Sequence, residues 1–334
     1  MKARRLLSAL MCVTIVATLA VGCGKKEEAA APSSSAAGSS SAGASEKIYI
    51  PVISKGFQHQ FWQAVKIGAE QAAKDLNVEI SFEGPEGESQ VDKQIEMLQA
   101  ALGKNPQAIC LAALDSQAVI PLLEQAKDKN IPIIGFDSGV DSEIPVTTCS
   151  TDNLKAAAVA ADKMAEAIGG KGEIAIICHD QTSLTGVDRR DGFKNQIESK
   201  YPDIKIVDIQ YQADQAKAAD VAKTLIQAHP DLKGIFGTNE GAATGAIKGV
   251  IEAKMDGKLT VIGYDAGQAQ KDAVRSGQMY GAITQDPVGI GYKAVEAAVK
   301  AIKGETLEKN IDTGFKWYDK TNVDSEEMKP LLYD

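Results

Sequence analysis

From Lys47 onward, short apolar runs alternate with longer segments whose apolar positions recur every three or four residues. KIYIPVIS is followed by FWQAVKIGAEQAAKDL, where Phe61, Val65, Gly68, Ala69, Ala72 and Leu76 share one helix face. VEISFEG is followed by VDKQIEMLQAALG, with Val91, Ile95, Leu98 and Leu102 in step and Gly103 placed to cap the helix. QAICLAAL, a helix over about 116–129 and IPIIGFDSG complete this half. The second half repeats the plan, with helices expected over about 152–168, through RRDGFKNQIESK, to His229, through Ile251, to Arg275 and over about 288–302. Between them lie the strand-like runs GEIAIICH, IKIVDIQ, LKGIFGTNE, LTVIGYDAG and MYGAITQD. Apolar strands alternating with amphipathic helices predict an α/β chain of parallel sheets covered on both faces. Such sheets bind ligands beyond the carboxyl ends of their strands.

Two of those ends are nearly the same: IGFDSG over 134–139 and IGYDAG over 262–267. Their acids, Asp137 and Asp265, stand 128 residues apart, about one domain's length. The duplication predicts two similar lobes, each presenting one carboxylate.

The first residues follow a different rule. MKARR is basic, LLSALMCVTIVATLAVG is apolar, and Cys23 follows at once. A small residue before a single Cys resembles the bacterial lipoprotein box, with Ala20 where that box usually has Leu. Residues 1–22 are therefore expected to be a signal peptide and Cys23 the lipidated residue. Residues 24–46, rich in Ser, Ala and Gly, carry no large side chain to offset ordering entropy and read as the rest of a tether, 23–46. Two acyl chains on Cys23 would hold the protein stably on a membrane.

With 334 residues, 44% of them hydrophobic, the chain can form more than one core. Its net charge of −9 argues against a nucleic-acid partner. Of five cysteines, Cys12 leaves with the signal and Cys23 carries lipid, so Cys110, Cys149 and Cys178 stay in the fold. Their spacing suggests neither zinc nor a disulfide framework, and no metal or cofactor is expected.

The strand ends carry the candidate chemistry. After the first strand come His59, Phe61 and Trp62; later ends carry Asp137 and Ser138, then Asp180 to Arg189, Asn239 and Glu240, Tyr264 and Asp265, and Gln285 and Asp286. Carboxylates and amides address vicinal hydroxyls in pairs, and an aromatic face covers the apolar side of a sugar ring. Phe61 and Trp62 are adjacent, so one is expected in the core and the other free to stack. His179 and His229 read as structural.

The segments FW followed by KIGAE, VIPLLEQAKDKNIPIIGFDS, STDN, RRDGF, AHPDLKGIFGTNE, VIGYD and ITQDPVGIG together resemble the type I periplasmic sugar-binding proteins of the ribose and galactose kind. The resemblance spans 47 to about 310. It implies two Rossmann-like lobes joined by three crossovers, 47–150 with about 286–311 and 151–285 with about 312–334, closing on a ligand that passes to an ABC permease. It further implies Phe61 and Trp62 as stacking aromatics, His59 as their polar neighbour, Asp137, Arg189, Asn239, Asp265 and Gln285 as hydroxyl binders, and Tyr264 beside the acid. A monomer, outside the cytoplasm and tethered by lipid alone, follows from the same likeness. Two positions depart from the ribose pattern: Ser138 stands where an Arg is common, and Ala213 where an aromatic is, beside Tyr211 and Gln212. Both widen the range to other sugars and polyols.

Three other functions compete. A glycosidase would use two carboxylates but needs one raised pKa from an apolar pocket, and both acids here stand among Gly and polar neighbours in matching sequence contexts. A LacI-type repressor would place a DNA-binding unit where this chain has its signal and tether. A ligand sensor without transport would use the same closing lobes.

Overall fold

The structure, a computed structural model, describes residues 47–333; the signal segment, Cys23 and the tether lie outside them. The chain first lays down β1 (Tyr49–Ile53), α1 (Gln60–Asp75), β2 (Glu79–Glu83), α2 (Val91–Gly103), β3 (Ile109–Leu111), α3 (Ile120–Asp128), β4 (Ile133–Phe136) and β5 (Thr147–Ser150). A second unit follows: α4 (Asn153–Ile168), β6 (Gly172–Cys178), α5 (Leu184–Lys200), β7 (Ile204–Tyr211), α6 (Gln215–Ala228), β8 (Leu232–Gly237), α7 (Glu240–Glu252), β9 (Thr260–Tyr264), α8 (Gln268–Ser276) and β10 (Gly281–Gln285). Then α9 (Pro287–Ile302) and β11 (Asn310–Asp312) return to the first unit, and β12 (Phe315–Asp319) to the second.

Two six-stranded sheets result, in the orders β11-β5-β4-β3-β1-β2 and β12-β10-β9-β8-β6-β7. The first is parallel throughout; the second is parallel except that β12 runs antiparallel to β10. Strand interiors are apolar because helices cover both faces: every residue of β4 is buried. Asp152, Ser183, Asp214, Asn239 and Asp286 cap their helices through side-chain bonds to backbone N–H groups, so each chain entry into a helix is fixed at a strand end. Gly68 on α1 and Gly291 on α9 let the two helix backbones touch, since a Cβ on either would collide with the carbonyl of Val288 or Val65.

Several expectations change. The segment after Leu114 turns before it becomes helical: Asp115 accepts from the N–H groups of Gln117 and Ala118, and α3 begins only at Ile120, next to Pro121. Gly103 ends α2 within the helix, and the left-handed residue is Asn105 (φ 48°). The strands β5, β11 and β12 were not expected from the hydrophobic pattern; TTCS and NID are short and half polar, and their partners are set by the returning chain. Cys110, Cys149 and Cys178 are all free and buried.

Candidate functional site

Asp137 and Asp265 follow β4 and β9 in the same backbone conformation, with φ of 54° and 77°. Each donates its N–H to the strand beside its own, Asp137 to the Cys149 carbonyl at 2.9 Å and Asp265 to that of Ile283 at 2.6 Å. Asp tolerates this left-handed region better than most side chains. The duplicated hexapeptide is thus one strand-end turn written twice, aiming a carboxylate from each sheet into a shared cleft.

The cleft holds a small cavity of about 10 Å³, room for about one water. His59, Phe61, Trp62 and Asp137 line it from the first lobe; Arg189, Asn239, Asp265 and Gln285 line it from the second. Of the expected residues, Ser138 and Tyr264 stand just outside the lining. Ser138 is buried with its hydroxyl unpartnered, and Tyr264 supports Arg189 from below, its ring centroid 3.8 Å from the guanidinium carbon. Ala213, Tyr211 and Gln212 face an adjoining outer cavity of about 510 Å³, which Glu88 and His179 separate from the inner one.

Three lining residues were missed or misread. Lys55 sits two residues beyond β1, and Glu88 lies in the loop after β2, both at strand ends like the rest. His179, read as structural, lines the cavity, held by Thr238 Oγ1 at 2.8 Å from Nδ1. Burial keeps its imidazole well below the usual pKa, and Lys55 and Arg189 add to that. His179 directly follows β6 and Lys55 stands two residues past β1, whereas Glu88 stands five residues past β2 and is brought to the cavity by its loop.

The aromatics are also corrected. Phe61 and Trp62 are both buried, because the N-terminal turn of α1 is enclosed on both sides and not packed on one. Their rings meet edge to face at 5.0 Å, and the Trp62 indole donates to Glu88 at 2.7 Å. Burial would push the Glu88 carboxyl up, yet His59, Lys55 and the Trp62 bond together hold it below the usual range.

Arg189 organises the polar floor. Its Nε donates to Asn153 Oδ1 at 2.8 Å and its Nη1 to the Thr238 carbonyl at 3.0 Å, leaving Nη2 4.0 Å from Asp137 Oδ1. Asp265 accepts from Gln285 Nε2 at 2.8 Å and from the Glu240 N–H at 2.9 Å. Lys55 lies 3.7 Å from Asp137 and donates to Thr185 at 2.8 Å. The expectation that the acids sit in unperturbed surroundings fails: burial pushes Asp137 up to about 6, against the pull of Lys55 and Arg189, and raises Asp265 against Arg189. A raised carboxyl pKa therefore no longer separates this site from a hydrolase.

Two buried lining atoms, His59 Nε2 and Gln285 Oε1, have no hydrogen-bond partner. Leaving such groups unpaired is costly, and both point to a polar ligand. Carboxylates, a guanidinium, an ammonium, carboxamides and two aromatic rings around one small space suit a compact molecule with many hydroxyls.

Residues 50–306 match the family described as periplasmic binding protein domain. Among curated proteins, the D-ribose/D-allose-binding protein of Pseudomonas aeruginosa is 26% identical over 282 residues, covering 81% of this chain and 87% of that one. The D-allose-binding periplasmic protein of Escherichia coli is 28% identical over 278 residues, covering 80% and 89%. Among solved structures, a carbohydrate transporter solute-binding protein of Agrobacterium radiobacter in complex with D-arabinose superposes with a TM-score of 0.83 at 32% identity, covering 86% of this chain and 99% of that one.

Proposed function

This chain belongs to the periplasmic binding protein domain family, with the type I fold, and from that premise we propose that it captures a sugar or related polyol between two closing lobes outside the cytoplasm. In this reading the lipid on Cys23 tethers a monomer to the membrane, and the loaded protein delivers its ligand to an ABC permease. It is a binding protein and not an enzyme. Among the described residues, no helix is long and apolar enough to cross a membrane. The moving lobes are 47–150 with about 286–311 and 151–285 with about 312–334.

The observation that carries the reading is the shared cavity of Asp137 and Asp265. Each carboxylate follows a strand of a different sheet, so a ligand bonded to both rewards closure directly. Because about 10 Å³ is free between the side chains, a sugar enters only as the lobes part or the side chains turn. Net charge supports a neutral ligand: Glu88, Asp137 and Asp265 face Lys55 and Arg189 across the lining, leaving little attraction for an anion.

A thermal-shift screen of residues 47–334 against pentoses, hexoses, polyols and nucleosides tests the proposal. A sugar at about 100 times its Kd should add roughly 2.7 kcal/mol, a shift of several degrees. Stabilisation by a nucleoside alone, with every sugar and polyol inert, would remove the sugar from this reading.

A further inference from the structure

The peptide unit joining Asp265 to Ala266 is gripped at both ends by the C-terminal segment, which lies beyond the residues matched by the family. Tyr318 on β12 donates its hydroxyl to the Asp265 carbonyl at 2.9 Å. The Ala266 N–H donates to the Tyr333 hydroxyl, also at 2.9 Å. At the twin turn the corresponding N–H, that of Ser138, bonds back to the Phe136 carbonyl, so the two acids are held by different means.

Tyr333 is itself anchored to the second lobe. Thr284 donates to the Leu331 carbonyl at 2.8 Å, Lys271 to the Tyr333 carbonyl at 2.7 Å, and Val323 and Met328 are buried in the core. Its ring meets that of Phe61 edge-on, with centroids 6.2 Å apart. Phe61 belongs to α1 in the first lobe and lines the cavity. One side chain from the end of the chain therefore touches the turn that aims the second lobe's acid and an aromatic wall supplied by the first.

Building on the sugar-binding reading, we infer that Tyr333 is a positioning residue for the ligand, fixing the Asp265 turn and meeting Phe61 only when the lobes close. Asp265 occupies a left-handed conformation, easier for Asp than for most side chains yet still strained, and the two tyrosine hydroxyls hold its peptide there. Ala266 is fully buried, so removing the acceptor of its N–H leaves a donor that water does not reach. The turn then relaxes, and with it the aim of a carboxylate whose two oxygens are bonded to Gln285 and Glu240. The ring contact acts on the other half of the problem, because it joins the lobes in the closed form.

Two substitutions in the full-length protein separate these contributions. Tyr333→Phe keeps the ring and removes the hydroxyl; Tyr333→Leu removes both. Amide hydrogen exchange at Ala266, read without sugar, should accelerate about tenfold or more in each variant. D-ribose, D-allose and D-arabinose serve as calorimetric probes. Whichever of them binds the wild type should bind Tyr333→Phe about tenfold more weakly and Tyr333→Leu more weakly still, with the loss in a faster dissociation rate. Unchanged exchange at Ala266 overturns the inference whether or not a sugar binds. So does faster exchange with affinity for a binding probe within about twofold of wild type. If the wild type binds none of the three, the choice of sugar falls, while exchange in Tyr333→Phe still decides whether the clamp exists.

Discussion

Glu240, the first residue of α7 in the second lobe, accepts the backbone N–H of Phe61 in the first lobe at 3.1 Å, and that of Gln60 at the same distance. A carboxylate of one lobe thus caps a helix of the other. The helix α1 needs it, because its own N-cap residue, His59, makes no side-chain cap bond. The first N–H groups and the positive end of the helix dipole would otherwise be open at the cleft. Burial pushes the Glu240 carboxyl up, and His59 opposes that rise.

Replacing Glu240 with Ala should therefore weaken sugar binding about fivefold, since a helix cap is worth about 1 kcal/mol. The loss should appear in the dissociation rate, as expected of a contact made on closure, and Glu240→Gln should recover part of it. Stopped-flow kinetics beside calorimetry would show this; an unchanged dissociation rate in Glu240→Ala would mean the cap plays no part in closure.

Asp137 should make stability depend on pH in an identifiable way. Its carboxyl rises from 3.8 to about 6 in the folded protein, mainly through burial, with Lys55, Arg189, Asp265 and Glu88 facing it. Between these values the folded protein keeps a proton that the unfolded chain has released, so stability falls as pH rises through the window, by about 3 kcal/mol in all. Asp137→Asn cannot titrate there. Comparing melting temperatures, wild type should lose ground to Asp137→Asn between about pH 4 and 7; a constant difference would show that Asp137 ionises normally.

Arg189 is 3% exposed and serves Asn153, Thr238, Asp137 and Tyr264 at once. Breaking a buried charge cluster by removing one partner costs about 3–5 kcal/mol, so Arg189→Met should lower urea stability by about that much and abolish sugar binding. Arg189→Lys should regain part of the stability but little of the binding, because a point charge replaces a planar fork. Full affinity in the lysine variant would count against this account.

The hydrophobic pattern made most of the architecture legible, because strands such as IPIIGF are apolar throughout and helices such as α1 repeat at the helical period. It missed β5, β11 and β12, whose pairing depends on where a distant segment returns and not on local sequence. The duplicated hexapeptide led directly to Asp137 and Asp265. Lys55 and Glu88 went unseen because SKG and PEGES read as ordinary polar loops, and only the closing of two sheets around them gives them a shared target. The burial of the acids was hidden as well: Asp265 is covered by Arg189, Glu240 and Gln285 and Asp137 by Lys55 and Arg189, all of them distant from it in sequence.

At the other end of the chain, Cys23→Ala should abolish incorporation of a radiolabelled fatty acid and leave the protein as an uncleaved precursor or in the soluble fraction. Persistent labelling of Cys23→Ala would relocate the anchor.

The contact of Gly68 with α9 and of Gly291 with α1 joins helices about 220 residues apart in the chain. During synthesis α1 leaves the ribosome first and waits for its neighbour until residues 151–285 have followed it, so the second lobe is free to fold as an insertion within an unfinished first one. A chain rearranged to begin at Thr151, with its old ends joined by a linker, would reverse that order. The second lobe would come first, α9 would arrive shortly before α1, and a wait that now spans a whole lobe would become a nearly local encounter.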